Sequence, residues 1–154
     1  MNVAVQETAL GKIGVAEERG RIVAVYFDGE ALPAGAVLRE TAVLKEAFRQ
    51  LHAYMAGELK VFDLPLAPEG TAFQMKVWAA LRNIPYGGTA SYKDVAAKIG
   101  NPKATRAVGM ANNRNPIPIM IPCHRVIGAD GSLVGFGGGL ELKRKLLRIE
   151  SRNV

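Results

Sequence analysis

In the sequence Asn-Pro-Ile-Pro-Ile-Met-Ile-Pro-Cys-His-Arg-Val, residues 115–126, three prolines and a run of large apolar side chains lead to the only cysteine of the protein, Cys123. Proline holds φ at about −65° and pushes the preceding residue toward extended backbone. The apolar residues between the prolines favour burial. The pattern therefore predicts a stiff, buried, extended segment that delivers one thiol to a set position.

The residue after Cys123 is His124, one of two histidines in the chain, and Arg125 follows it. A thiol in apolar surroundings has a raised pKa and is unreactive unless a base or a positive charge lies near. His124 and Arg125 are candidates for that role, although neighbours on an extended chain point to opposite sides. The alternative is a core cysteine that packs as a small hydrophobic residue. The order Pro-Cys-His-Arg-Val favours a nucleophile.

The composition is typical of a soluble globular protein with one or two small domains. A single cysteine excludes an internal disulfide, and no Cys/His cluster has the spacing of zinc ligands. The N-terminus lacks a signal-peptide pattern, and no apolar run is long enough to cross a membrane. We therefore expect a reduced, cytoplasmic protein with no metal and no membrane association.

The net charge of +6 is divided unevenly along the chain. Residues 1–70 contain 7 Lys and Arg against 10 Asp and Glu, a net charge of −3. Residues 71–154 contain 13 Lys and Arg against 4 Asp and Glu, a net charge of +9. The asymmetry indicates an anionic partner for the C-terminal part, most simply nucleic acid. A solvated basic face without a partner is the alternative.

The N-terminal part predicts a small antiparallel sheet and one helix. The strands are expected at Val3–Val5, Ile13–Ala16 and Ile22–Phe27, between glycines. The amphipathic helix is expected over Ala36–Ala56, with Gly57 ending it. His52 lies off the apolar stripe of this helix, and nothing in this part indicates chemistry.

The C-terminal part predicts several short helices. Thr71 and Ser91 each begin a capping box and therefore a helix. Asn101 and Pro102 are expected to be the first residues of a further helix that runs to about Asn113. The second and third of these helices, joined by a tight turn at Gly100, have the helix-turn-helix arrangement. Nearby lysines and arginines favour DNA as the partner.

A glycine-dense loop, Gly135–Gly139, follows the cysteine, and a final helix is expected over Leu140–Ser151. The loop lacks the Gly-Lys-Ser/Thr ending of a phosphate-binding loop, which argues against nucleotide binding. A loop with so few Cβ atoms suits the close approach of a flat ligand. The basic residues of the final helix, Lys143 among them, are expected to lie mostly outside.

The segment ending in Pro-Cys-His-Arg-Val closely resembles the active-site signature of the O6-alkylguanine-DNA alkyltransferases, also called methylated-DNA–protein-cysteine methyltransferases. The resemblance is strong over residues 70–150 and weak before them. It implies an α+β fold: a ribonuclease H-like domain over residues 1–66, with a small antiparallel sheet and a helix, and a helical domain with a winged helix-turn-helix over residues 67–154. Some relatives carry a structural zinc in the first domain, and this sequence lacks the ligands.

The family resemblance implies a repair protein that flips an alkylated base out of double-stranded DNA. It would move the alkyl group from O6-alkylguanine, and from O4-alkylthymine, onto Cys123, irreversibly and without a cofactor. His124 is implied as the base that acts through a bound water, Glu150 as the acid that orients it, and Tyr92 as the donor to the departing base. We expect the protein to act as a monomer.

The same resemblance assigns further residues to the substrate and to DNA. The residues implied at the flipped base are Tyr92, Val126, Gly137, Asn115 and Phe136, with Asn115 also linking the DNA-binding helices to the active-site segment. Arg106 matches the arginine that fills the space left by the flipped nucleotide, in the minor groove. The other residues expected at the DNA are Ser91, Lys103, Ala104, Thr105, Asn113, Arg114 and Arg125.

Three other functions are compatible with parts of the sequence. A non-catalytic DNA-damage-binding protein would share the architecture, but alkyltransferase-like proteins lack the cysteine. A cysteine hydrolase could use Cys123, His124 and Glu150, but it would need an oxyanion hole and would leave the basic helices without a purpose. A helix-turn-helix transcription factor with an inert cysteine would bind DNA sequence-specifically. Alkyl transfer is favoured over all three.

Overall fold

The computed structural model describes all 154 residues, which form two compact units, Met1–Pro68 and Glu69–Val154. The first unit contains a four-stranded sheet and one α-helix, and the second contains four α-helices and a short two-stranded ribbon. None of the helices combines the length and the apolar composition that a membrane span needs.

The sheet of the first unit has the strand order β3-β2-β1-β4. Its strands are β1 (Asn2–Thr8), β2 (Gly11–Glu18), β3 (Arg21–Phe27) and β4 (Val37–Leu38). The first three pair antiparallel, as predicted, and β4 runs parallel to β1. The turn between β2 and β3 has positive φ at both Arg19 and Gly20, the conformation that matches the twist of a two-residue hairpin.

Helix α1 (Ala42–Met55) begins later than the predicted start at Ala36. The intervening residues form β4 because the backbone N–H groups of Val37 and Arg39 donate to carbonyls of the neighbouring edge, at 3.0 Å each. Pairing with an open sheet edge thus overrides the helical periodicity of this segment. Gly57 ends the helix with a φ of +77°, as predicted.

One face of α1 forms the core of the first unit together with the sheet. Its buried residues are Leu44, Ala47, Phe48, Gln50, Leu51 and Tyr54. All but Gln50 are apolar or aromatic, and they follow the i, i+3, i+4, i+7 spacing of an amphipathic helix. His52 lies off this stripe and is exposed, as predicted, and its Nε2 lies 2.9 Å from Oε1 of Gln6.

The second unit begins with two helices that start at capping boxes, both as predicted. Helix α2 (Ala72–Leu81) is capped by Thr71, and α3 (Tyr92–Lys98) is capped by Ser91. In each box the side-chain oxygen of the cap accepts from the backbone of the third helical residue, whose own side chain accepts from the backbone of the cap. Trp78 of α2 is a core residue: it is buried and donates to the carbonyl of Ala111 at 2.8 Å.

Helix α4 (Thr105–Asn113) follows α3, with Ala104 as its N-cap. The predicted start at Asn101 and Pro102 was wrong, because the carbonyl of Asn101 accepts from the N–H of Ala104 and closes a turn instead. The helix begins only after that turn. Helices α3 and α4 pack against each other and form the predicted helix-turn-helix pair.

The segment leading to Cys123 is buried as predicted but is not an extended rod. The N–H of Ile121 donates to the carbonyl of Ile117, at 3.0 Å, across a tight reversal in which Ile119 has a φ of +72°. Residues Cys123–Arg125 then form one turn of 3-10 helix. The prolines stiffen this path, but burying four apolar side chains in a small unit folds the chain back on itself.

A short ribbon and the last helix complete the second unit. Strands β5 (Ala90–Ser91) and β6 (Val126–Ile127) pair parallel. The pairing places the residue after the 3-10 turn beside the start of α3. Helix α5 (Leu140–Arg152) then packs against the turn that carries Cys123.

Candidate active site

Cys123 begins the 3-10 turn and is 4% exposed. Burial raises the pKa of its thiol to about 11, although the Asn115 side chain and the charge of Lys143 act in the opposite direction. The group is therefore a protonated thiol at neutral pH. It becomes a nucleophile only when a base takes the proton.

His124 supplies a base in the same buried turn. Its Nε2 lies 2.6 Å from Oε2 of Glu150, and both side chains are almost fully buried. Burial lowers the pKa of His124 and outweighs the opposing effect of the Glu150 carboxylate. The imidazole is therefore neutral, and a proton on Nε2 donated to Glu150 leaves Nδ1 as the nitrogen that can accept another.

Glu150 is held by two further groups. The guanidinium of Arg125 donates from Nε to Oε1 at 2.8 Å and from Nη2 to Oε2 at 3.1 Å. The N–H of Gly87 donates to Oε1 at 3.2 Å. A two-pronged arginine contact fixes the plane of a carboxylate, and Glu150 in turn fixes the ring of His124.

The expectation that Arg125 contacts DNA is corrected by this geometry. Arg125 is 8% exposed, and its third donor, Nη1, bonds the carbonyl of Ile84 at 2.6 Å. Its guanidinium also lies 5.8 Å from the centroid of the Tyr86 ring. Arg125 therefore supports Glu150, although the family resemblance had assigned it to DNA.

Asn115 braces the loop that leads to the nucleophile. Its Nδ2 donates to the carbonyl of Ile121 at 2.8 Å, and its Oδ1 accepts from the N–H of Ile117 at 3.0 Å. The side-chain amide of Asn115 thus bridges the two ends of the chain reversal between Ile117 and Ile121. It also favours the thiolate form of Cys123 by hydrogen bonding to it.

Lys143 is a site residue that the sequence reasoning missed. It was expected outside, but its side chain is fully buried, and Nζ donates to the carbonyls of Val126 at 2.6 Å and Val134 at 2.8 Å. Burial lowers its pKa, and the Cys123 charge acts in the opposite direction. Its position was visible in the sequence, since Lys143, Leu146 and Glu150 follow one helical stripe.

Tyr92 lies at the first position of α3, on the rim of the site. Its hydroxyl donates to the carbonyl of Val134 at 2.9 Å, and burial, followed by the Cys123 charge, raises its pKa. The carbonyl of Val134 therefore accepts hydrogen bonds from both Tyr92 and Lys143. These two bonds hold the start of the glycine-dense loop against α3 and α5. The hydroxyl remains protonated at neutral pH and can act as a donor.

The other residues predicted to contact the substrate lie on the segments that follow the cysteine: Val126, Phe136 and Gly137. Val126 is fully buried, and its carbonyl accepts from Lys143 at 2.6 Å. Phe136 is half-buried, and its carbonyl accepts from the N–H of Gly139 at 2.9 Å. A Cβ at Gly137 would meet only the carbonyl oxygen of Asn113, at 3.7 Å, so the loop has room for a side chain there.

Most of the predicted DNA-binding residues lie at the ends of α3 and α4. Ser91 caps α3, Lys103 and Ala104 precede α4, and Thr105 and Arg106 open it. Two more, Asn113 and Arg114, lie at its C-terminal end. Lys103, Thr105, Arg106, Asn113 and Arg114 are exposed, whereas Ser91 and Ala104 are partly covered. The helix-turn-helix therefore presents exposed polar and basic side chains.

Two family models match the chain, one for each unit. The 6-O-methylguanine DNA methyltransferase ribonuclease-like domain matches residues 1–68, and the DNA-binding domain of the same family matches residues 72–152. The α+β fold expected from the sequence, with a ribonuclease-like part before a helix-turn-helix part, is confirmed.

Relatives and solved structures agree with these models. A methylated-DNA–protein-cysteine methyltransferase of Methanosarcina acetivorans is 52% identical over 154 residues, covering 97% of this chain and 98% of that protein. The constitutive enzyme of that name from Bacillus subtilis is 49% identical over 151 residues, covering 94% and 92%. The crystal structure of Mycobacterium tuberculosis OGT in complex with DNA matches with a TM-score of 0.95 at 41% identity, covering all of this chain and 95% of that one. The chain therefore belongs to the 6-O-methylguanine DNA methyltransferase family, the methylated-DNA–protein-cysteine methyltransferases.

Proposed function

We propose that this protein repairs DNA by direct damage reversal, transferring an alkyl group from O6-alkylguanine, and from O4-alkylthymine, to its own Cys123. The observation that carries the proposal is the buried chain of contacts from Arg125 through Glu150 to His124, beside a cysteine in a unit with a helix-turn-helix. Full-length relatives that carry the methyltransferase name support it.

The chemical step exchanges one carbon–oxygen bond for one carbon–sulfur bond. His124 Nδ1 takes the thiol proton through a bound water, and the sulfur attacks the saturated carbon on O6 in line with the leaving oxygen. The carbon–oxygen bond breaks and its electrons remain on the base, whose ring nitrogen takes up one proton. The proton that the thiol gave to His124 balances this one. Glu150 stabilises the imidazolium formed on the way, and the hydroxyl of Tyr92 donates to the departing base.

The product fixes the stoichiometry of the reaction. A thioether on Cys123 is stable, and the single cysteine leaves no second thiol to displace the alkyl group. One molecule therefore repairs one lesion and is consumed. No cofactor takes part in this scheme, because the nucleophile, the base and the acceptor of the alkyl group all belong to the chain.

The target base must leave the duplex to reach a thiol that is 4% exposed. Flipping a nucleotide costs a few kcal/mol, and least for a damaged pair. Arg106, exposed at the start of α4, enters the duplex and fills the space that the flipped base leaves. Backbone and minor-groove contacts by α3 and α4 suit a protein that must find lesions in any sequence.

The two units divide the work in this proposal. Residues 1–66 act as a scaffold, and residues 67–154 bind double-stranded DNA and accept the alkyl group. The protein acts as a monomer in the cytoplasm, where a reducing environment keeps the lone acceptor thiol free.

The experiment that tests this function is the mass of the protein after incubation with a duplex containing O6-methylguanine. We expect one methylene unit of added mass on the peptide that carries Cys123, and none in Cys123→Ala. His124→Ala should gain the mass far more slowly, whereas the surface variant His52→Ala should match the wild type. A wild-type protein that cleaves esters or amides repeatedly and gains no mass would instead be a cysteine hydrolase.

A further inference from the structure

Asn112, in the last turn of α4, is a buried amide that the chemistry above does not use. The side chain is 1% exposed, and its Nδ2 donates to the backbone carbonyl of Cys123 across 3.4 Å. Its Oδ1 is buried and has no hydrogen-bond partner. The other buried residues of this helix, Val108 and Ala111, are apolar.

The buried amide of Asn112 is unfavourable for the stability of the fold. A buried carbonyl oxygen without a hydrogen bond carries its full desolvation penalty, and one long bond from Nδ2 offsets only part of it. An apolar side chain of similar volume would avoid that penalty on a helix face that is otherwise apolar. Stability therefore does not explain why an amide lies against the nucleophile.

The position of Asn112, between α4 and the peptide of Cys123, accounts for an amide at this site. The residue belongs to the same helix as Arg106, six positions earlier, or about 9 Å along an α-helix. The end of α4 is anchored, since the carbonyl of Ala111 accepts from Trp78 at 2.8 Å and that of Asn112 from the N–H of Asn115 at 3.4 Å. The amide thus joins the helix that docks on DNA to the peptide of the reacting residue.

We propose that Asn112 is a positioning residue for alkyl transfer from DNA, which sets the sulfur of Cys123 relative to α4 by holding its peptide carbonyl. When α4 docks on the duplex, the hydrogen bond from Asn112 holds the sulfur of Cys123 at a fixed position relative to α4 and therefore relative to the flipped base. A displacement of an ångström at the reacting atoms is enough to slow a reaction. The inference rests on the proposed function, because it concerns the rate of that transfer.

The test compares Asn112→Leu and Asn112→Ala with the wild type and with Met110→Leu, an exposed position on the same helix. Four quantities are measured: the melting temperature, the affinity for duplex DNA, the single-turnover rate with a duplex containing O6-methylguanine, and the rate with a free O6-alkylguanine base. The free base reports the chemistry of the thiol without docking of α4.

For Asn112→Leu we expect an unchanged or higher melting temperature, unchanged DNA affinity and transfer from the duplex slower by about three- to tenfold, the range that one modest hydrogen bond can account for. Transfer from the free base should slow less. Duplex transfer at the wild-type rate would overturn the inference. So would a large fall in melting temperature in both variants with equal slowing on both substrates, since that result describes a merely structural residue. If the wild type itself transfers nothing, the proposed function fails instead.

Discussion

Glu150 Oε2 lies 2.6 Å from Nε2 of His124, and the same carboxylate receives two donors from Arg125. A buried histidine beside an unsupported carboxylate could rotate, but here the carboxylate plane is fixed by the guanidinium. The contact with Arg125 fixes the carboxylate that orients His124, and it also neutralises Glu150, the only buried carboxylate of the second unit. In the proposed mechanism, catalysis and stability therefore depend on the same residue.

Removing the carboxylate should reduce both. We expect Glu150→Ala to lower the free energy of unfolding by about 3–5 kcal/mol, because it leaves the Arg125 guanidinium buried without its partner. Glu150→Gln should destabilise less and slow transfer by about a hundredfold, the lower range for general-base catalysis. Denaturant unfolding and single-turnover kinetics measure the two effects. Glu46→Gln, on an exposed ion pair in the first unit, should change neither. A fast Glu150→Gln would remove the orienting role.

The thiol of Cys123 should titrate far above neutral pH. Because burial raises its pKa to about 11, alkylation by iodoacetamide should be slow at pH 8 and should rise with pH to a midpoint near that value. The protein unfolded in denaturant should react with a lower midpoint, since the desolvation is gone. Cys123→Ala gives the background. A midpoint below pH 8 in the folded protein would mean that the resting group is a thiolate.

The stability of the protein should fall in mildly acidic solution because of His124. Burial lowers its pKa in the folded state below the ordinary value of 6.5, so the unfolded chain binds the proton first as the pH falls. The free energy of unfolding should therefore decrease as the pH falls from 6.5 through the folded-state pKa. Urea unfolding at several pH values measures the slope. His124→Asn should flatten it, and an unchanged slope in that variant would contradict the assignment to His124.

Lys143 should hold the glycine-dense loop against the site. Lys143→Met removes the donor shared by the carbonyls of Val126 and Val134 and the positive charge beside Cys123. We expect slower transfer, a higher thiol pKa and faster proteolysis within residues 128–139. Lys145→Met, exposed on the same helix, is the matched control. Equal proteolysis of the two variants would contradict the bracing role.

Arg106 should act after binding. We expect Arg106→Ala to slow transfer from a duplex by more than it weakens DNA binding, since filling the space of the flipped base matters only once the base has left. Transfer from a single strand should be less affected. DNA affinity of the wild type should fall as salt rises, because phosphate contacts release counterions. An equal loss of binding and transfer would assign Arg106 to docking alone.

Local sequence signals predicted most of the elements, and their errors have physical causes. The capping boxes at Thr71 and Ser91 located two helix starts because both partners lie within four residues. Strand β4 was missed because two residues gain their stability from a distant strand edge. The error at the start of α4 has a local cause. An asparagine at position 101 is compatible with either a helix cap or a turn, and the structure has the turn.

The candidate site was less visible than the fold. The neighbours Cys123 and His124 stand out in the sequence, and Glu150 was assigned by resemblance. Arg125 was assigned to DNA by resemblance, and its burial depends on a 3-10 turn that the proline pattern does not predict. Lys143 was missed because a lysine in a basic helix suggests solvent, although its stripe position points inward. The partner of Arg125 lies 25 residues away in the sequence, and periodicity does not predict such a pairing.

Stoichiometric transfer to Cys123 is tested by counting the lesions removed per protein molecule when O6-methylguanine duplex is in excess. We expect repair to stop at one base per molecule and every lost methyl group to be recovered on Cys123. Continued repair beyond one base per molecule, or methyl groups released to solvent while Cys123 stays unmodified, would contradict it.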